Sequence, residues 1–115
     1  MSRFAYALVA ALALSYGESG LAKDDAAMIS KGHDVYANWC APCHAAGRGH
    51  PGTLALQTKY NGAKPAVLDQ RRDLTPDITK YFVRNGITVM PPFRKTEISD
   101  ADLEALAAYI ARSRP

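Results

Sequence analysis

Trp39-Cys40-Ala41-Pro42-Cys43-His44 is the stretch on which the reading of this 115-residue chain turns. Two cysteines stand two residues apart, and a histidine follows directly. That order is the attachment signature of a c-type haem. The two sulfurs can form thioethers with haem vinyl groups, and the next residue brings an imidazole to the iron. The chain has no other cysteine, so no disulfide framework competes for these two.

Two other chemistries use similar residues. Trp-Cys-Ala-Pro-Cys also reads as a thioredoxin-type thiol–disulfide site. That site needs a buried β-branched strand just upstream, and Asp24 to Asn38 is rich in Ala, Lys, Asp and Gly instead. A zinc site wants four ligands, commonly a second pair at ordinary spacing. After His44 only His50 remains, with no further cysteine.

A haem held by His44 has a second axial position to fill. Met90 is the candidate, in Asn85-Gly86-Ile87-Thr88-Val89-Met90-Pro91-Pro92-Phe93. Pro91 has no amide hydrogen and fixes the backbone just after the sulfur. His50 follows His44 too closely to cross to the opposite face of the ring. Met28 is expected to fill core space. Thioether ligation raises the reduction potential and leaves no open coordination position. That combination favours outer-sphere electron transfer over catalysis at the iron. A ligand-binding haem sensor, by contrast, would need an open or labile sixth position.

Outward from the motif, the length predicts one domain. Met1-Ser2-Arg3 is a basic start, Phe4 to Ser15 an apolar run too short to span a bilayer, and Gly20-Leu21-Ala22 a small-residue cleavage site. Residues 1–22 are expected to be a cleaved signal peptide and 23–115 the mature domain, exported to the periplasm without stable membrane insertion. Formal net charge is +3, and losing Arg3 and Glu18 leaves it unchanged. No basic stripe interleaved with aromatics argues for nucleic acid. A mature chain of this size has a marginal apolar core, which a buried haem would enlarge.

Strand signals are nearly absent, and helix signals recur. Asp24 to Asn38 predicts a first helix, with Met28, Ile29, Gly32, Val35 and Tyr36 on one face. Thr75 as N-cap, Pro76 at the first position and Gly86 as the stop define a middle helix with Ile78, Tyr81 and Phe82 as its apolar spacing. Ser99 caps a last helix striped by Leu103, Leu106, Ala107 and Ile110. Residues 47–62 read as loop, with a short helix over Leu54 to Lys59; residues 65–72 add a helical turn. The expectation is an all-α fold of about four short helices wrapped around one haem.

The mature chain resembles the class I c-type cytochromes. The carrying residues are Gly32 and Tyr36, then Cys-Ala-Pro-Cys-His, then Arg-Asn-Gly-x-x-x-Met-Pro-x-Phe at 84–93, and last Leu106 and Tyr109. The resemblance implies one covalent haem c on Cys40 and Cys43, with His44 and Met90 as axial ligands. It implies that the first and last helices cross, Gly32 and Tyr36 lying against Leu106 and Tyr109. It also implies that Pro51 offers its carbonyl to the other imidazole nitrogen of His44, although His50-Pro51-Gly52-Thr53-Leu54 departs from the usual Gly-Pro-x-Leu. From Leu74 to Ile110 the chain is similar to the small cytochrome subunit of flavocytochromes that oxidise 4-alkylphenols, the p-cresol methylhydroxylase and eugenol hydroxylase type. That implies a flavoprotein dehydrogenase as electron donor. The alternatives are a free periplasmic shuttle to an oxidase and, further off, a thioredoxin-like thiol–disulfide oxidoreductase.

Overall fold

The computed structural model of the chain describes residues 19–112, with side chains from residue 22 onward. The expected 1–22 leader lies outside the described residues apart from Ser19–Ala22, which begin the first helix, so the expected start at Lys23 falls within it.

Five α-helices and one 3-10 turn make up the described part: α1 Ser19–Trp39, α2 Ala41–His44, α3 Pro51–Tyr60, the 3-10 turn Leu68–Gln70, α4 Pro76–Asn85 and α5 Asp100–Ala111. The count exceeds the expected four because the cysteine motif forms a helical turn of its own. The short helix expected over 54–59 also starts three residues earlier, at Pro51. Its proline stands at the first helical position, where a missing N–H costs nothing, and Asn61 ends it in the left-handed conformation at φ 46°. Among the described residues the only extended pairing is the antiparallel contact of Ile87 with Met90.

The caps form as the sequence dictates. The Thr75 hydroxyl accepts from the Ile78 amide at 3.1 Å and the Ser99 hydroxyl from the Asp102 amide at 3.1 Å, each satisfying one orphan donor of a first turn. Gly86 stops α4 at φ 68°.

The core sits where α1 crosses α5. Val35 and Tyr36 of α1 pack with Leu103, Leu106, Tyr109 and Ile110 of α5, with Val83 of α4, and with Ile98 just before α5. Ile98, Leu106 and Ile110 are fully buried, each contributing about 2 kcal/mol by transfer from water. The crossing is set by Gly32. A Cβ there would lie 2.6 Å from Tyr109 Cβ and inside the contact distance of the Ala105 carbonyl. Ring contact follows: Tyr36 and Tyr109 have centroids 5.5 Å apart.

Two expectations fail. Met28 is exposed rather than core; α1 and α5 meet closest at Gly32, and the next turn of α1 is covered by Ile29 instead. On α4 the buried residue is Val83, while Ile78 and Tyr81 are exposed, Tyr81 to 61 %. The α4–α5 seam combines Val83 with two long cations, Lys80 paired to Glu104 and Arg84 paired to Asp100. Their aliphatic stems cover apolar surface. Arg84 also donates to the carbonyls of Phe93 at 3.1 Å and Ile98 at 2.9 Å.

Arg71 is a buried cation that composition alone did not single out. It is 5 % exposed. Its guanidinium donates to both oxygens of Asp73, at 2.6 and 2.7 Å, and to the Tyr60 hydroxyl at 2.8 Å. Lys64 reaches the same carboxylate at 3.1 Å, so the cluster ties the end of α3 to the segment before α4. Arg71 first, and then Lys64, hold the Asp73 carboxyl well below the usual carboxylate range. A depressed carboxyl pKa stabilises the fold above the ordinary value near 4, and that stability disappears as pH falls toward the folded value. Asp73→Asn should therefore cost about 2 kcal/mol at neutral pH by leaving a buried guanidinium underpaired. The figure is discounted because the Asp73 side chain is 48 % exposed. The variant's melting temperature should also fall less steeply below pH 4 than the parent's; parallel acid limbs would refute the assignment.

Candidate functional site

The Cys40 carbonyl accepts from the amides of Cys43 at 3.1 Å and His44 at 2.9 Å. Residues at i, i+3 and i+4 share one helix face, so Cys40, Cys43 and His44 project together from a single turn. Both cysteines are free. Tyr36 anchors the turn from α1: its carbonyl accepts the Cys40 amide at 2.9 Å and its hydroxyl donates to the His44 carbonyl at 3.4 Å.

Burial decides the chemistry of these groups. It pushes the Cys40 thiol up to about 12, with the neighbouring Cys43 adding to the effect. Thiol–disulfide exchange needs a lowered thiol pKa to supply thiolate. The all-helical surroundings also lack the strand that a thioredoxin site requires, so the disulfide-exchange reading loses its support. Burial likewise lowers the pKa of His44 and keeps the imidazole neutral, the form that ligates a metal.

A second segment closes on this turn. His50 Nδ1 donates to the Pro42 carbonyl at 2.9 Å, and the Thr53 hydroxyl donates to the Ala45 carbonyl at 2.8 Å. Between them Gly52 closes on the His44 ring: a Cβ at Gly52 would stand 2.7 Å from the Cys43 carbonyl oxygen and 2.8 Å from His44 Cε1. His50 is thus engaged on the motif's own side. The hydrogen bond expected from His44 to Pro51 is not formed; the buried Nδ1 of His44 has no partner among the described residues. Pro51 opens α3, where its carbonyl runs along the helix axis, and the residue on the ring is Gly52.

Met90 stands on the α4–α5 connection. Ile87 and Met90 exchange backbone hydrogen bonds at 3.1 and 2.9 Å, closing a two-residue turn. Thr88 in that turn has φ 51°, a strained conformation for a β-branched residue. It is held by the closed turn, by Pro91 and Pro92, and by Gly86, where a Cβ would meet Pro92 N at 2.9 Å. Three residues beyond Met90 the chain docks back: the Phe93 amide donates to the Val83 carbonyl at 2.8 Å, and its ring meets Trp39 edge-to-face at 5.8 Å. The methionine loop therefore touches the residue immediately before Cys40.

The donor set fits a covalent haem. Two free cysteines and a neutral imidazole share one face, and a thioether lies on a stiff loop packed against the same motif. An all-α fold carrying such a site defines the class, a small single-haem c-type cytochrome.

Comparison with known proteins agrees. Residues 27–110 match the family described as cytochrome c oxidase, cbb3-type, subunit III. The chain is similar to cytochrome c6 of Picosynechococcus sp. (strain ATCC 27264 / PCC 7002 / PR-6), 34 % identical over 106 residues, covering 90 % of this chain and 85 % of that one. It is also similar to cytochrome c6 of Cladophora glomerata, 33 % identical over 86 residues, covering 75 % of this chain and 89 % of that one. No solved structure matches it significantly. The chain belongs to the class I c-type cytochrome family; it is an electron-transfer protein rather than an enzyme, and its cofactor is covalently bound haem c. None of its described helices is long and apolar enough to cross a membrane.

Proposed function

We propose that Cys40 and Cys43 carry the haem as thioethers, that His44 and Met90 are its axial ligands, and that the protein passes single electrons in the periplasm after removal of residues 1–22. The haem supplies the one-electron couple. The polypeptide supplies a neutral imidazole, a stiffened thioether and a nonpolar surround. The observation that carries this reading is the shared face of Cys40, Cys43 and His44.

The electron donor is a flavoprotein dehydrogenase of the 4-alkylphenol-oxidising type, with this chain as its subunit or partner. The Met90 loop supports a docking role. Val89 is 94 % exposed at the tip of the turn, beside exposed Pro91 and Pro92, and apolar contact of this kind suits a lasting interface. A free shuttle to an oxidase is the second reading. It is favoured on the acceptor side by the match to a family named for an oxidase subunit.

Intact mass under denaturing conditions tests the core of the proposal. The expected species starts at Lys23 and carries one haem mass that survives unfolding; a bare polypeptide mass would end it. Purification from the native host separates the two partner readings. A flavin-containing complex stable in high salt indicates a subunit. A lone cytochrome with salt-sensitive encounter rates indicates a shuttle.

A further inference from the structure

We propose that the outer surface of residues 45–64, carrying Arg48 and Lys59, docks an acidic face of a redox-partner protein. The inference rests on the reading of Cys40, Cys43 and His44 as the haem turn. It goes beyond that reading by naming the chemistry of a partner and the face that meets it.

Charge is unevenly spread along the chain. Between Asp34 and Asp69 the sequence has no Asp or Glu, while Arg48, Lys59 and Lys64 fall in that interval. Elsewhere cations and carboxylates neutralise one another. Lys31 meets Asp102, Lys80 meets Glu104, Arg84 and Lys95 share Asp100, and Arg94 meets Glu97. Those pairs leave little net field over α4 and α5. The acid-free interval holds the cysteine–histidine turn and the whole of α3, so the surplus positive charge flanks the site itself.

The fold places that charge outward. α3 packs on α2, with Thr53 buried and Leu56 and Tyr60 half-buried at helical spacing on its inner side. Ala55, Thr58 and Lys59 are exposed on the outer side, and Arg48 is exposed in the connection that leads into α3. Lys64 is shared with Asp73 at 3.1 Å, so Arg48 and Lys59 supply the surplus.

The same residues select the occupant. A single-stranded nucleic acid needs aromatic faces open for stacking, and the Tyr60 ring is covered by Arg71 and Lys64. An anionic membrane needs a broad apolar face beside the cations, and Leu54 is the only large exposed apolar side chain on α3. An acidic protein surface suits a few separated cations, because complementary charge steers encounter without a continuous patch. This face is unlike the Met90 loop, whose tip is the exposed Val89. One side is thus built for apolar contact and the other for charged contact.

The test uses the purified reduced holoprotein and three single charge reversals, Arg48→Glu, Lys59→Glu and Lys23→Glu. Lys23 is exposed near the far end of α1, roughly 25 Å from Cys40 along the helix axis. Its reversal changes net charge equally but leaves the α3 face alone. Oxidation is timed with hexacyanoferrate(III), an anion, and with tris(phenanthroline)cobalt(III), a cation, each taking one electron. Arg48→Glu and Lys59→Glu are each expected to slow the anionic oxidant about threefold at low ionic strength and to speed the cationic one. Lys23→Glu should change both rates far less. The differences should fade above about 0.1 M salt, where the screening length is about 10 Å. Amide resonances of the isotope-labelled protein, titrated with poly-L-glutamate as a model acidic chain, should shift within residues 45–64 and stay still in Arg48→Glu and Lys59→Glu. Equal effects of all three reversals would overturn the proposal, as would shifts centred outside 45–64. Shifts at 45–64 given by phosphatidylglycerol vesicles but not by poly-L-glutamate would also overturn it, in favour of a membrane. Failure of the haem reading is distinguishable, because the parent protein would then be colourless whatever the amide map showed.

Discussion

Gly32→Val is expected to lower the melting temperature by roughly 15–30 °C, or to leave no folded protein at all. The Cβ alone would overlap the Ala105 carbonyl and press on Tyr109 Cβ at 2.6 Å. The obstacle is helix backbone, which cannot rotate aside as a side chain can. Relief requires α1 and α5 to separate, and that opens the cluster of Val35, Tyr36, Leu106, Tyr109 and Ile110 to water. Overpacking by itself costs about 1–3 kcal/mol, and loosening the fully buried Leu106 and Ile110 adds about as much again. A sum near 4 kcal/mol is a large part of the total stability of a small domain, and each kcal/mol moves the midpoint by roughly 4–8 °C at this size. A Gly32→Val holoprotein that melts with the parent would show that the helices do not cross here.

Replacing Met90 is expected to have its largest effect on the haem rather than the fold. Met90→Ala removes the sulfur but keeps the backbone exchange with Ile87 and the docking of Phe93 on Val83 and Trp39. The far-ultraviolet spectrum should stay close to the parent's. Loss of the thioether should lower the midpoint by on the order of 0.1 V, since methionine ligation favours reduced iron and axial ligands are a principal control of potential. The reduced variant should also bind carbon monoxide, and the parent should not. An unchanged midpoint and visible spectrum would remove Met90 from the iron.

Much of this architecture was legible because local chemistry and tertiary role coincide. Thr75, Pro76 and Gly86 bound α4, and Ser99 opens α5, through bonds that lie within one turn of each residue. Gly32 was informative because a glycine inside a helix has a cost that only close approach offsets. Reading failed where the outcome depended on what lay across the interface. Ile78 and Tyr81 have apolar spacing, yet the α4 residue that enters the core is Val83, on the other side of the helix. Nothing adjacent to Arg71 in the sequence marks it as a buried cation. Only the fold brings Tyr60, eleven residues away, onto its guanidinium. At the site, the cysteine–histidine turn could be read from spacing alone. The role of Gly52 could not, because the family pattern drew attention to the neighbouring proline. The usable signal was the register of Leu54: counting back from it in Gly-Pro-x-Leu puts Gly52, not Pro51, at the proline position.

Arg84 carries a consequence for how the molecule breathes. By holding the carbonyls of Phe93 and Ile98 together with the carboxylate of Asp100, it cinches the mouth of the whole segment that follows α4. Such a segment opens all at once or not at all. Native-state hydrogen exchange should find the amides of Ile87, Met90 and Phe93 sharing one opening free energy. Trimming the guanidinium to Lys should release all three in concert while the α1–α5 amides keep their protection.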